Sequence, residues 1–480
     1  MGQEIERQHF SAHDFRVFSG RLRRETELLR QWLDGGVFPD LPFMGGLEVE
    51  AWLVGPDLEP AAENGAFLEA MADPLVVPEL AAFNFEINTD PLELAGAALT
   101  HMESDLDRRW KHCRRQASEL GLETVMTGIL PTARETAFSP ANMSDQARYR
   151  ALNEQILRSR EGRPLHLQIE GRERLDTVHY DVMLEAAATS FQIHLRVPPS
   201  RAAHFFNAAL LCSPFMVAAS ANSPFLFGRD LWEETRIPLF EQSVASPPRG
   251  DCASMGGRVC FGRNYVSGGL ARCFSENEIC FDPLLPMEMD KYPASLSHLR
   301  LHNGTIWRWN RPLVGFEDDG RPHLRIEHRS CPAGPTVADS IANAALFYAL
   351  CADFADESAA DEQALQRLLP FDRLRDGFYR AARDGLNAEL SWIDGRTWRL
   401  RDLLLDQLLP RGQDALARMG LDGEGQDRYM RIIEERVRSG RTGSAWQRQR
   451  ARALDGDLHR MLREYMDLQD DGEPVHSWPV

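Results

Sequence analysis

The sequence predicts an α+β fold with a largely antiparallel sheet. Two observations carry the prediction. Segments with apolar residues at every second position, the period of a strand, recur from Gly46 to about residue 329. They are mixed with long segments of helical period, without the regular βαβ alternation that marks a parallel sheet.

The elements follow in order. Residues 11–34 read as a helix: Ser11 can cap it, Phe15, Phe18, Leu22, Leu29 and Trp32–Leu33 share one face, and Gly35–Gly36 ends it. From Gly46 the run LEVEAWLV alternates as a strand and turns at Gly55–Pro56. A short helix is expected at 64–72, a strand at 82–88, a helix at 96–120 stopped by Gly121, and a short strand at 122–128. Residues 143–160 and 201–220 read as helices, with a strand at 189–197 between them. The stretch 243–283, rich in Gly, Ser and Asn, reads as loops with short strands. Strands are expected at 303–309 and 322–329, then a long Ala-rich helix from Val337 to Phe354. Beyond 360 the chain reads as mostly helical, with a break at Gly440–Trp446. There is no internal repeat and no clear linker, so the expected division is a catalytic domain over 1–400 and a helical region over 401–480 packed on it.

Composition narrows the function. The 480 residues carry 54 Lys+Arg against 72 Asp+Glu, a net charge of −18, which opposes general binding to nucleic acid or anionic membranes. A hydrophobic fraction of 43% and a charged fraction of 26% are those of a globular protein, which excludes wholesale disorder. The first residues lack a basic region followed by an apolar run, so no secretory signal is expected, and Gly2 with Glu4 and Glu6 nearby is a poor acylation match. Ala202–Gly228 lacks Asp, Glu, Lys and Arg and is long enough to span a bilayer. His204, Asn207, Ser213, Pro214, Asn222 and Pro224 interrupt it, so a buried helix and loop are expected. None of the eight cysteines forms a C-x-x-C pair. A structural zinc site is therefore not expected, nor is a thiol nucleophile; reduced cysteines in a cytoplasmic protein are, with pairing inside the Cys252–Cys280 cluster disfavoured.

Four strands carry polar side chains two residues apart, hence on one face. Glu48 and Glu50 oppose Leu47, Val49 and Ala51; Glu86 and Asn88 oppose Phe85 and Ile87. Gln192, His194 and Arg196 oppose Phe191, Ile193 and Leu195; Arg325, Glu327 and Arg329 oppose Leu324 and Ile326. One such strand is an ordinary solvated face. Four together, with carboxylates about 7 Å apart that repel unless a cation lies near, suit Mg²⁺ or Mn²⁺ bound by oxygen and imidazole. Arginines on the same face suit phosphates or carboxylates. Neither G-x-x-x-x-G-K-[ST] nor G-x-G-x-x-G is present, so metals and arginines must carry the phosphates of any ATP.

At these residues the sequence resembles the carboxylate–amine ligases of the glutamine synthetase superfamily, in particular the bacterial and plant-type glutamate–cysteine ligase family. The matching pieces are Gly46–Glu50, the Phe85–Leu94 segment, the Gln192–His194 strand, Ala221–Gly228 and Arg325–Arg329, in the family's order over roughly residues 45–350. The resemblance implies an antiparallel sheet curved into a half-funnel that holds ATP and two or three Mg²⁺ ions. It implies Glu50, Glu86 and Glu93 around one metal, with a bend at Pro91 bringing Glu93 inward, and Glu48, His194 and Glu327 around another. The implied chemistry is formation of an amide, γ-glutamyl in the family's own case, through an acyl phosphate, with Arg329 stabilising the transferred group. Gln192, Arg236, Arg308, Arg311 and Arg325 are further candidates for nucleotide or substrate; surface ion pairing or stacking on Trp307 and Trp309 is the alternative for Arg236, Arg308 and Arg311. Glu327→Gln is expected to abolish turnover with little loss of folding. A guanidino or carboxylate kinase on the same fold, or a non-catalytic relative, are the alternatives. The expected partners are ATP, an amino-acid-like carboxylate and an amine, with a homo-oligomer left open. His179, His298, His302, His323 and His328 have no metal-ligand spacing and read as structural.

Overall fold

A computed structural model describes residues 5, 7–250, 252, 256–289, 292–357 and 362–480. The N-terminal residues Gly2, Glu4 and Glu6 considered above lie outside the described residues. Helix α1 (Ala12–Asp34) opens with the capping box that Ser11 makes possible: Asp14 N–H donates to the Ser11 hydroxyl and Ser11 N–H to the Asp14 carboxylate.

The main sheet is antiparallel throughout and curls into a half-barrel. Its long strand β1 (Met44–Val54) is followed by α2 (Asn64–Met71), β2 (Val76–Pro78), β3 (Asn84–Asn88) and β4 (Leu92–Glu93). Next come α3 (Ala98–Glu119), β5 (Glu123–Val125), α4 (Ala147–Ser159) and a separate hairpin, β6 (Leu165–Glu170) with β7 (Arg174–His179). Strand β8 (Ser190–Val197) leads into α5 (Ala202–Ser220), the small ribbon β9 (Phe225–Leu226) and β10 (Arg229–Asp230), then α6 (Arg236–Ser243), α7 (Ala271–Cys280) and α8 (Ser297–Gly304). Strands β11 (Asn310–Phe316) and β12 (Pro322–Pro332) complete the sheet in the order β11-β12-β8-β1-β3-β2, with β4 and β5 pairing on β1.

The apolar side of these strands is dry. Leu47, Val49, Ile193, Leu195, Leu324 and Ile326 are all buried. Helix α5 packs on β12 and α9 (Val337–Glu357) on β8, and the two helices pack on each other. Both pass the length and hydropathy test for a membrane span, yet 89% and 100% of their apolar windows are covered by the rest of the protein. The expected buried helix and loop at 202–228 is what forms, with Ser213 and Ser220 hydroxyls donating to carbonyls one turn back.

Outside this frame lie α10 (Glu362–Leu368), α11 (Phe371–Asp384), the hairpin β13 (Glu389–Ser391) and β14 (Thr397–Arg399), and α12 (Leu400–Leu403). Helices α13 (Leu409–Arg418), α14 (Gly423–Ser439), α15 (Gly443–Ala453) and α16 (Leu458–Asp471) follow. The buried Arg436 of α14 donates to Asp339 at 2.7 Å and Asn343 at 2.6 Å on α9, a charge-assisted tie in the core.

Three expectations need correction. The strand expected at 303–309 is instead the end of α8 and a connector; the Thr305 hydroxyl closes the helix on the His302 carbonyl, and the strand starts at Asn310. It then runs through Pro312, which β11 tolerates because it is the edge strand. The 243–283 stretch has a helix, α7, and no strand among the described residues. Within it Cys252 and Cys280 form a disulfide, against the expectation of reduced cysteines; the remaining six are free and buried. The two meet across 28 residues because the chain turns back on the end of α7, where Arg249 N–H donates to the Cys280 carbonyl and the Arg249 guanidinium pairs with Asp282.

Glu241 of α6 fastens the edge of this frame, its Oε1 accepting from Trp309 Nε1 and from the Tyr379 hydroxyl of α11, each at 2.8 Å. Burial pushes its carboxyl from the ordinary 4.5 up to about 7. A raised carboxyl holds its proton in the folded state, so its contribution is full below pH 4.5 and lost as pH rises to about 7. Glu241→Gln keeps the shared acceptor oxygen and flattens that slope. In urea titrations at pH 4.5 and 7.5, we expect the loss of stability to be smaller in the variant than in the wild type by on the order of 3 kcal/mol.

Candidate active site

The strand register builds the site row by row. Cross-strand partners in an antiparallel sheet stand side by side on one face. Glu86 faces Glu50 across β3 and β1; Asn88, Glu48 and Gln192 form the next row across β3, β1 and β8. Then His194, Glu327 and Arg311 line up across β8, β12 and β11. His194's own partner on β1 is Gly46, and with no side chain there Glu48 leans diagonally to within 3.0 Å of His194 Nε2.

Two donor sets result, each with its ligand atoms within 4.8 Å of one another: Glu48, His194 and Glu327, and Glu50, Glu79 and Glu86. Their electrostatics differ. Burial alone would raise the Glu327 carboxyl, but Arg311, Arg329 and His194 outweigh it and hold it at about 2. Arg311 grips Glu327 with two bonds of 2.6 and 2.9 Å, and Arg329 adds one of 3.3 Å. In the other set burial and Glu48 push Glu86 up to about 7. Burial, then Glu86 and Glu50, drive Glu79 well above the carboxylate range. Glu50 is raised by burial despite Arg329 and bonds from Ser190 N–H at 2.6 Å, the Ser190 hydroxyl at 2.8 Å and Gln192 at 3.1 Å. The first set is charge-compensated by Arg311 and Arg329; on the second, burial and mutual repulsion outweigh the pull of Arg329 on Glu50 and of Arg148 on Glu79.

These groups open on a cavity of about 620 Å³ lined by Glu48, Glu50, Glu79, Glu86, Gln192, Arg311, Arg325, Glu327 and Arg329, and on its other walls by Arg148, Tyr149, Glu185, Phe274, Arg300 and Trp307. Arg325 is half-buried there, and among the described residues it makes no ion pair and its buried Nε no hydrogen bond. Arg329 also donates to Gln192 Oε1.

Three residues singled out in the sequence do not reach the cavity. Glu93 is exposed on β4, where it pairs with Met44; the chain past Pro91 turns it out rather than in. Glu79, seven residues before Glu86 on the approach to β3, occupies the third position instead. Arg236 is buried behind β12, held by Glu234 at 3.3 Å and donating to the carbonyls of Arg329 and Ser330. Arg308 donates to Asn277 at 2.7 Å and Glu276 at 3.2 Å on α7. Arg236 thus ties to β12 and Arg308 to α7, both away from the cavity lining. The five other histidines are structural: His179 meets Glu135, His298 meets Glu25, His302 the Asn277 carbonyl, His323 meets Glu317, and His328 meets Asn310. The Gly440–Trp446 break does not cover the cavity; Gly440 ends α14 in the left-handed conformation, Thr442 caps α15, and Gln447 donates to Asn222.

An antiparallel half-barrel carrying paired carboxylate sets and arginines on its polar face is the framework of an ATP-dependent carboxylate–amine ligase, and this protein is an enzyme of that class. The chain belongs to glutamate–cysteine ligase family 2, whose family model matches residues 44–464. A glutamate–cysteine ligase from Francisella tularensis, solved in complex with AMP, shares the fold at a TM-score of 0.51 and 13% identity, over 92% of this chain and 96% of that one. A bifunctional glutathione synthetase from Pasteurella multocida aligns at 11% identity and TM-score 0.46, over 92% of this chain and 55% of that one. PafA, the ligase of the prokaryotic ubiquitin-like protein Pup, solved in complex with it, aligns at 10% and 0.35, over 88% and 71%. No curated protein matches the sequence significantly.

Two stability changes follow from the charge pattern. Glu327 is 1% exposed and holds two arginines, so Glu327→Gln costs about 3 kcal/mol in chemical denaturation, more than the sequence alone implies. Glu79→Gln acts oppositely: removing one of three mutually repelling carboxylates raises the stability of chelator-treated protein by on the order of 1 kcal/mol.

Proposed function

We propose that the enzyme activates a carboxylate substrate with ATP and joins it to an amine, with glutamate the first carboxylate to consider. The observation that carries this reading is the three-carboxylate set Glu50, Glu79 and Glu86, half-buried to buried beside an arginine-compensated set in one cavity. Carboxylates so arranged serve a polycationic centre, and arginines on the same wall serve an anion.

The donor sets fit Mg²⁺ or Mn²⁺. Glu50, Glu79 and Glu86 offer oxygen alone, and His194 sets Nε2 3.0 Å from Glu48 while its buried Nδ1 has no hydrogen bond among the described residues. Glu50, Glu79 and Glu86 would hold one ion, and Glu48, His194 and Glu327 another. When bound, the ions neutralise phosphate oxygens and bring ATP into a cavity rich in negative charge.

The chain's own groups do the rest. Arg325 and Arg329 flank Glu327 on one strand face, suited to phosphate oxygens on either side of it. Arg311 keeps Glu327 ionised and fixed. In the first step a substrate carboxylate oxygen attacks the γ-phosphorus, and the bond to the β-phosphate oxygen breaks to release ADP. In the second the ammonium gives one proton to solvent and the neutral amine attacks the acyl carbon; the carbon–oxygen bond breaks, phosphate leaves with its electron pair, and the nitrogen's second proton passes to that phosphate. Gln192, held between Glu50 and Arg329, orients both groups. Dependence on ATP argues for a cytoplasmic enzyme.

The test is phosphate release from ATP·Mg²⁺ by purified protein with panels of amino acids and amines, beginning with L-glutamate and L-cysteine, read with product mass. We expect release that requires both substrates, and a product equal to their sum less water. A stable phosphorylated product formed without amine would instead mark a kinase. Glu86→Gln should lower turnover at least 100-fold while leaving the circular dichroism spectrum unchanged.

A further inference from the structure

We propose that Glu185 binds the primary ammonium group of a substrate in the ligase cavity, a step that rests on the ligase reading. Each other cavity carboxylate has an assignment. Glu48 meets His194, Glu50 accepts from Ser190 and Gln192, Glu86 from Asn88, and Glu327 from Arg311 and Arg329. Glu79 completes a donor set. Glu185 also lines the cavity. It belongs to neither donor set, and among the described residues its carboxylate makes no hydrogen bond and no ion pair.

Its position is fixed nonetheless. Glu185 lies in the single helical turn Met183–Ala187, whose entry is pinned twice: Val182 N–H donates to Asn153 of α4 at 3.0 Å, and Met183 N–H to Asp181 at 2.9 Å. Burial and the charges of Glu50 and Glu79 oppose ionisation of this carboxyl more strongly than Arg329 favours it, so a carboxylate held here by the turn is favoured only when a cation arrives from outside. A divalent ion needs several oxygen ligands at once, whereas an ammonium group can use one carboxylate and donate its other protons elsewhere. The nearby walls define what is attached to that nitrogen. Tyr149, Leu152 and Ile156 of α4 and Val182 line the same cavity, and the Tyr149 hydroxyl is turned to the Pro78 carbonyl. The ligand is therefore a primary ammonium on a short carbon chain whose methylene groups lie against this wall, a description that an acceptor amine and an amino-acid donor both meet.

Glu185→Gln separates the two. With ATP, L-glutamate and L-cysteine as probes, a KM for cysteine raised at least tenfold, with the KM values for glutamate and ATP unchanged, assigns the acceptor's ammonium. Hydroxylamine is uncharged at pH 7.5 and traps an acyl phosphate as hydroxamate, so its reaction with the activated glutamate should then be equal in variant and wild type. A raised KM for glutamate, with hydroxamate formation weakened in step, assigns the donor's ammonium instead. Unchanged KM values for both amino acids in a variant of wild-type melting temperature overturn the proposal. Wild-type protein that forms hydroxamate but shows this null result leaves the ligase reading intact; wild-type protein forming neither hydroxamate nor amide overturns both.

Discussion

Six carboxylates share one cavity, and the whole architecture answers to their mutual repulsion. Strand pairing fixes four of them, Glu48, Glu50, Glu86 and Glu327, in rows, so these cannot drift apart to relax. The protein compensates on one side only. Arg311 and Arg329 neutralise Glu327, and Arg236, buried between Glu234 and the β12 carbonyls, holds from behind the strand that carries it. Around Glu50, Glu79 and Glu86, burial and mutual repulsion outweigh the pull of Arg329 on Glu50 and of Arg148 on Glu79. The asymmetry is what makes the cavity a site rather than a buried ion-pair network: charge is satisfied where a strand must be held still and left wanting where something must bind.

The sheet's two faces divide the labour. One is mainly polar, the other mainly apolar apart from the paired Asn310 and His328, and the apolar one rests on α5 and α9. These helices in turn are locked by the last part of the chain. Arg436 reaches Asp339, Val475 N–H also donates to Asp339, and Trp446, Tyr465 and Trp478 pack edge to face. Asn222, just after α5, gathers bonds from Gln447 and to Ala333 and Tyr465. The C-terminal helices thus brace the platform from the side away from the chemistry.

Much of this was legible in the sequence because period 2 speaks directly about faces. Glu48, Glu50, Glu86, Gln192, His194, Glu327 and Arg329 announce their side of the sheet by alternating with Leu, Val, Ile and Phe. What failed was anything set by long-range geometry. Glu93 and Glu79 stand seven residues either side of Glu86; which of them turns inward depends on how the chain enters and leaves β3, and neither neighbourhood alternates. Arg236 and Arg308 look like anion ligands by composition, but buried carbonyls and Glu276 claim them. The β6–β7 hairpin, by contrast, alternates buried and exposed at every residue of β6, so its signal was present and lay unread beneath charged residues.

The two backing helices have a consequence for biogenesis. Helix α5 is apolar on every side, and its main cover arrives late: α9 begins 117 positions after α5 ends, and Arg436 stands nearly a hundred beyond that. While the chain is being made, a segment with the length and hydropathy of a membrane span therefore leaves the ribosome well ahead of the surfaces that will enclose it. Synthesis of this enzyme therefore passes through a stage in which an apolar helix stands open to self-association or to capture by the membrane-insertion machinery.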